Sequence, residues 1–191
     1  MYKRNPEYKV LDLIVNRWSA RAMSGETISK IELMSLFEAA RWAPSAFNNQ
    51  PWRFIYVTRD SKNWPGALDL LKEGNKIWAQ NGAVLILIFS YKYFDFNDKS
   101  SKTHSFDTGA AVENLALQAY FMDLVAHAME GFDYDKARDF FKITEKYDIE
   151  AMLVVGRHGN LDDLPEKLKE KEKRSDRKRV EQFIFEDFFK E

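Results

Sequence analysis

The chain has 191 residues, 45% of them hydrophobic and 15% aromatic, with a net charge of -1 and no cysteine. That much apolar material supports one packed domain and excludes disorder throughout. The balanced charge provides no global field to recruit nucleic acid, and the missing cysteines exclude disulfides, thiol nucleophiles and iron–sulfur centres.

The first pattern is Val10 to Asn16, where Leu11, Ile14 and Val15 have helical spacing. Asp12 interrupts this apolar stretch, so it does not read as a signal-peptide core. It runs into Arg17-Trp18-Ser19-Ala20-Arg21, two permanently charged planar forks around a hydroxyl. These suit a phosphate, and they equally suit a solvated basic turn. If the helix continues, both guanidinium groups share one side.

Ser29 and Glu32 have the spacing of a capping box, and Ile31, Met34, Leu36 and Phe37 supply an apolar helical face. Pro44 restricts the residue before it, which ends this helix near Trp42. From Pro44 to Pro51 the chain is turn formers and uncharged hydrogen-bonding side chains. It reads either as a plain connection, with Ser45, Asn48 and Asn49 satisfying the backbone, or as a loop that holds a flat polar ligand.

Arg53 to Thr58 follows as a strand rich in aromatic and β-branched residues. A short helix through Ala67 and Leu71 is expected to stop at Gly74. Ala83 to Phe89 is a continuous apolar run, expected as a strand buried on both faces and too short to cross a bilayer. Tyr91 to His104 has no clear period and reads as a mobile surface loop. Phe106 to Met122 predicts a helix buried in a core or between subunits, with small residues Gly109, Ala110 and Ala111 in its early turns. Asp133 can cap a helix through Ala137 and Phe140, and Ile149 to Gly156 reads as a second buried strand.

From Arg157 to Arg179 lysine and arginine alternate with glutamate and aspartate, which fits an extended connector and argues against a one-signed nucleic-acid arm. The tail from Val180 to Phe189 is aromatic again, strand-like at Phe183, Ile184 and Phe185. A neighbouring subunit is the natural place to bury it. The expected organisation is a core over residues 1–156 and an arm with a tail strand over 157–191. His104, His127 and His158 are scattered with no metal-ligand spacing. His127 is expected in the core and the other two exposed. No dinucleotide-binding glycine motif is present. A soluble cytoplasmic protein is expected.

Several segments, in order, resemble the FMN-dependent nitroreductase family. They are Arg17-x-Ser19-x-Arg21; Ala43-Pro44-Ser45 with Asn48 and Gln50-Pro51-Trp52-Arg53-Phe54; Asp107-Thr108-Gly109-Ala110-Ala111 through Asn114-Leu115; Glu130-Gly131-Phe132-Asp133; and Ser175-x-Arg177-Lys178. Each is weak alone, and the ordered set is specific. The resemblance implies an α+β fold, a mixed sheet of four to five strands flanked by helices, in an intertwined homodimer with an exchanged C-terminal strand. It implies FMN as cofactor, NADH or NADPH as transient donor, and a nitroaromatic, quinone or related electrophile as oxidant. The flavin carries the chemistry, so no catalytic side chain and no metal is expected.

By the same resemblance, Arg17 and Ser19 grip the phosphate, and Arg177, helped by Ser175 or Lys178, reaches it from the arm. Arg21 lies by the pyrimidine edge of the ring. Pro44, Ser45 and Asn48 line the ring from the partner subunit, and Glu130 with Gly131 presents backbone N–H groups to the central ring. Asn75 or Lys76 makes a further ring contact. Ala46 departs from the family's second serine, and Arg179-Val180 replaces its usual proline. The alternative is a flavin-binding sensor or interaction module whose ring face is covered, with no turnover.

Overall fold

The computed structural model describes residues 4–189. The first three residues of the expected core and the last two of the expected arm lie outside this range. Its sheet has four strands, β1 (Trp52–Thr58), β2 (Val84–Tyr91), β3 (Leu124–Met129) and β4 (Tyr147–Arg157), in the order β1-β2-β4-β3. Every neighbouring pair is antiparallel. The mixed sheet expected from the sequence is therefore not formed within this one chain. A parallel pair needs a further strand, and none forms in the described tail.

Alternation along β2 builds the core on both sides. Leu85, Leu87 and Phe89 face one cluster with Trp64, Ala67, Trp78 and Ala137. Val84, Ile86 and Ile88 face the other with Leu33, Leu36, Leu115 and Ala119. Successive strand side chains point to opposite faces, so a strand apolar at every position is covered twice. One cover is α2 (Lys30–Arg41) and α5 (His104–Phe121). The other is α3 (Trp64–Asp69), α4 (Glu73–Ala79) and α6 (Tyr134–Phe141). Each fully buried large aliphatic side chain contributes about 1.5–3 kcal/mol, so the double cover is the main source of stability.

The helix starts follow their sequence signals. Ser29 and Glu32 close the capping box on α2, and Asp133 accepts from the Lys136 N–H to cap α6. Gly74 does not end a helix; it lies in the first turn of α4, and the break falls at Leu70–Lys72. The first helix is short, α1 (Asp12–Asn16), and Arg17 is already extended at ψ 136°. Residues 17–22 therefore run as an extended strap, not as a continued helix. The strap ends against β4, where Met23 bridges His158, the Gly159 N–H donates to the Ala22 carbonyl at 3.0 Å and the Ser24 N–H donates to the Arg157 carbonyl at 3.1 Å.

After the short helix α7 (Glu166–Lys169) the arm has no strand among the described residues. The tail residues expected as a strand, Phe183 to Phe185, do not form one; a single 3-10 turn at Val180–Gln182 precedes them and bends follow. Phe183, Ile184 and Phe185 are 46–58% exposed, so the tail buries nothing large within its own chain. No helix among the described residues is long and apolar enough to cross a membrane.

Candidate functional site

The strap and the arm meet along their polar edges. Arg4 donates to the carbonyls of Val15 and Arg17, each at 2.8 Å, and to the Ser175 carbonyl at 2.8 Å. Arg174 donates to Asn16 Oδ1 at 3.0 Å. Arg177 donates to the Ser175 hydroxyl at 3.1 Å. These bonds gather Arg4, Arg17, Arg174 and Arg177 into one region. Arg4 is held below the usual arginine range, first by burial and then by the charges of Arg177, Arg174 and Arg17. Like charges crowd here to a degree that the nearby Asp176 only partly offsets.

Two of these cations carry unmet donors. The Nε atoms of Arg17 and Arg174 are buried and have no hydrogen-bond partner. Arg17 is only 17% exposed and its Nε lies 3.3 Å from Glu113 Oε1 on α5, an ion pair off the ideal hydrogen-bond geometry. Buried guanidinium groups with free N–H donors are costly unless an anion completes them. The donor set is chemically suited to a phosphate, which offers several acceptor oxygens and a double negative charge. The cluster borders a groove of about 730 Å³ between residues 4–15 and the arm, lined by Tyr8, Ile14, Arg177, Lys178 and Phe183 among others. Ser19 is half-buried on the same strap.

Arg21 faces a different set of partners. Its guanidinium lies 3.6 Å from Glu172 and 6.0 Å from the Trp78 ring centroid. His127 packs tilted against Trp78, ring centroids 4.5 Å apart, with Nδ1 2.9 Å from the Ala20 carbonyl. Burial, foremost, holds this imidazole below its ordinary pKa and so favours the neutral ring. His127 is thus packed as expected. His104 is not exposed as expected: only 15% of its side chain is accessible, with Nδ1 2.7 Å from the buried Ser90 hydroxyl.

Trp78 lies three residues after Asn75 on α4, hence on the same helical face. Asn75 donates to the Gly131 carbonyl at 3.1 Å, and the Lys72 N–H donates to it at 3.0 Å. A Cβ on Gly131 would stand 2.6 Å from Asn75 Nδ2, so a side chain here would displace Asn75 from the turn. One helix therefore links the Glu130-Gly131 turn to Arg21. Asn75, and not Lys76, reaches the turn; Lys76 pairs with Asp69.

The loop carrying Pro44, Ser45 and Asn48 sits elsewhere, on the first turn of α5. The Ala46 N–H donates to Asp107 Oδ2 at 3.0 Å, and the Gln50 N–H donates to the Ser45 hydroxyl at 3.0 Å. Phe47, Asn48 and Gln50 all have positive φ, at 54°, 55° and 49°. Left-handed backbone in a residue as bulky as Phe47 costs roughly 1–3 kcal/mol and marks a constrained loop. Asn49 ties the loop to the segment after β2, donating to the Tyr93 carbonyl and accepting from the Asp95 N–H, both at 3.0 Å. Phe47 itself is 80% exposed and meets Phe94 and Phe96 at 5.5 and 5.7 Å.

Asp107 is the anchor of this loop, 5% exposed and also accepting from Thr103. Asp107→Ala leaves the Ala46 N–H unpaired and is expected to cost about 1–3 kcal/mol. Urea denaturation should show the lower midpoint, and limited proteolysis should find the first new cut at residues 45–50. An unchanged midpoint and cleavage pattern would remove Asp107 as the anchor.

Among the described residues no hydrogen bond or ion pair joins this loop to the arginine cluster. The structure thus brings Arg17 and Arg177 together, puts Arg21 near the Gly131 turn through α4, and leaves Pro44, Ser45 and Asn48 apart. Asp107 and Glu113, which touch the loop and the cluster, are separated by six residues of α5, roughly 9 Å. Sequence reasoning overlooked Arg4, Arg174 and Glu172. Their only sequence signal is charge within charged segments, which does not single them out.

A family model described as Nitroreductase family matches residues 14–77 and 61–157. The crystal structure of an oxidoreductase containing FMN is 39% identical with a TM-score of 0.94, covering 98% of this chain and 96% of that one. A nitroreductase family protein from Streptococcus pneumoniae shares the fold at 19% identity and a TM-score of 0.74, over 93% of this chain and 100% of that one. A 67-residue stretch is 37% identical to the oxygen-insensitive NADPH nitroreductase of Helicobacter acinonychis; it covers 35% of this chain and only 30% of that protein's length.

Proposed function

This chain belongs to the nitroreductase family, and from that premise we propose that it is an FMN-dependent oxidoreductase using NADH or NADPH to reduce nitroaromatic, quinone or related electrophilic substrates. The observation that carries the reading is the pair of buried Nε donors on Arg17 and Arg174 that make no hydrogen bond, within a cluster of like charges. Bound FMN supplies a hydride acceptor and donor at one ring, so the two substrates can use one place in turn.

The chain's own residues bind and orient. Arg17, Arg174 and Arg177 hold the phosphate, with Ser19 and Lys178 beside them. Arg4 secures the strap to the arm so that their cations converge. Arg21 lies along the pyrimidine edge, where a fixed cation favours the charge that builds on reduction. Gly131 and Glu130 bring backbone close to the ring, held there by Asn75. The separation of the Pro44-Ser45-Asn48 loop from the arginine cluster in one chain supports a homodimer in which a second copy brings that loop to the ring. Phe106 and Phe121 on α5 are 80% and 74% exposed, as a helix at a subunit interface requires. The tail at Phe183–Phe185 then pairs with the partner's sheet, and the chain divides into a core, residues 1–156, and a dimer-completing arm, 157–191.

The test begins with colour. Protein purified after FMN supplementation should be yellow and dimeric, and anaerobic stopped-flow mixing with NADH or NADPH should bleach it. Addition of a nitroaromatic or a quinone should restore the absorbance. A flavin that binds and stays oxidised indicates the non-catalytic sensor or interaction module. Protein that takes up no FMN overturns both readings.

A further inference from the structure

Glu172 is a buried acid in an arm that is otherwise solvated. Its side chain is 5% exposed. Oε1 accepts from two successive backbone donors, the Arg21 N–H at 2.6 Å and the Ala22 N–H at 2.9 Å. Oε2 is buried, lacks a hydrogen-bond partner, and lies 3.6 Å from Arg21 Nη1. One carboxylate therefore grips the backbone of Arg21 and also faces its guanidinium.

The geometry separates the two tasks. The backbone bonds are short and fix the direction of the strap. The guanidinium contact is longer than a hydrogen bond, so it acts mainly through charge. Arg21 keeps free donors and 27% exposure, with Trp78 beneath it. A buried carboxylate with one oxygen short of a hydrogen bond is expensive, so the pair is weak evidence for a gain in stability alone. The cost is explained if the carboxylate sets where the Arg21 guanidinium sits.

We propose that Glu172 is a positioning residue that holds the Arg21 guanidinium toward the arm, and so lowers the reduction potential of the bound flavin. This rests on the reading above that Arg21 faces the pyrimidine edge. Glu172→Gln retains an oxygen for both backbone N–H groups and removes the negative charge. The released guanidinium then favours the reduced, more negative ring, and the potential rises. Arg21→Gln removes the cation, and the potential falls. In the double variant the carboxamide has no guanidinium to release, so its potential stays close to that of Arg21→Gln alone.

The measurement is the FMN midpoint potential of the four full-length proteins, titrated against reference dyes with FMN in excess. Glu172→Ala, which also drops the backbone contacts, is the second substitution at this position and should shift the potential in the same direction. A potential unchanged by either Glu172 substitution overturns the proposal. So does a Glu172→Gln shift of equal size with and without Arg21, since the carboxylate would then act directly on the ring. A shift in Arg21→Gln with none at Glu172 removes the proposal alone. No shift in Arg21→Gln removes the ring contact itself, and the proposal with it.

Discussion

Arg17→Ala is expected to raise the FMN dissociation constant by about 10- to 100-fold, and Arg174→Ala to do the same. Each removes a guanidinium whose buried Nε makes no hydrogen bond within the chain. A hydrogen bond to a charged group contributes about 1.5–3 kcal/mol, and each 1.4 kcal/mol is about tenfold in affinity. The sign on the flavin-free protein is the opposite. There Arg17 adds to the repulsion that, after burial, holds Arg4 below its usual range. Its bond to the half-exposed Glu113 is worth at most about 1 kcal/mol. Flavin-free Arg17→Ala should therefore melt at or above the wild-type temperature while binding FMN worse. Fluorescence titration with FMN and thermal scans with and without it separate the two effects. A variant that loses stability without FMN and keeps its affinity would show Arg17 to be structural. High salt should weaken wild-type binding, since the ligand is anionic.

Gly159→Ala should produce the largest loss of stability among single-methyl changes at the strap. A Cβ at this position would stand 2.4 Å from the Met23 carbonyl carbon, 2.6 Å from its oxygen and 2.8 Å from the Ser24 nitrogen. All three are backbone atoms, so no rotamer change relieves the clash. The strap must move from β4 or the β4 end must bend, at a cost of about 1–3 kcal/mol. For a chain of this size that lowers the melting temperature by roughly 2–4 °C per kcal/mol. Displacing the strap also disturbs Arg17 and Arg21, so FMN retention should fall with stability. Gly74→Ala is the control. Nothing lies within 4 Å of its Cβ, and it sits in the first turn of α4. It should be neutral or stabilising by about 0.5–1 kcal/mol. Equal melting of Gly159→Ala and Gly74→Ala would show that the strap does not depend on close approach to β4.

Much of the fold could be read from local pattern. The apolar run at β2 required cover on both faces, and both clusters are present. Ser29 with Glu32 and Asp133 before α6 marked helix starts because a cap is a contact within one turn. The spacing of Arg17, Ser19 and Arg21 pointed to an anion site. It did not distinguish helix from strap, since helical residues four apart and extended residues four apart both share a side. The hydrogen bonds to the Gly159 and Arg157 backbone settled that, and they come from the other end of the chain.

What the amino-acid order determined by itself was periodicity, capping and charge, which act over a few residues. It also carried the family's ordered motifs. What only the tertiary structure decided was which distant groups share one volume. Glu172 meets Arg21 across 151 residues, and Arg4 meets Ser175 across 171. No local preference encodes such pairs, because the sheet brings them together only after it has buried its two faces. The physical reason is that burial is non-directional and folds the chain, whereas a binding site depends on directed donors and charges placed by that folding.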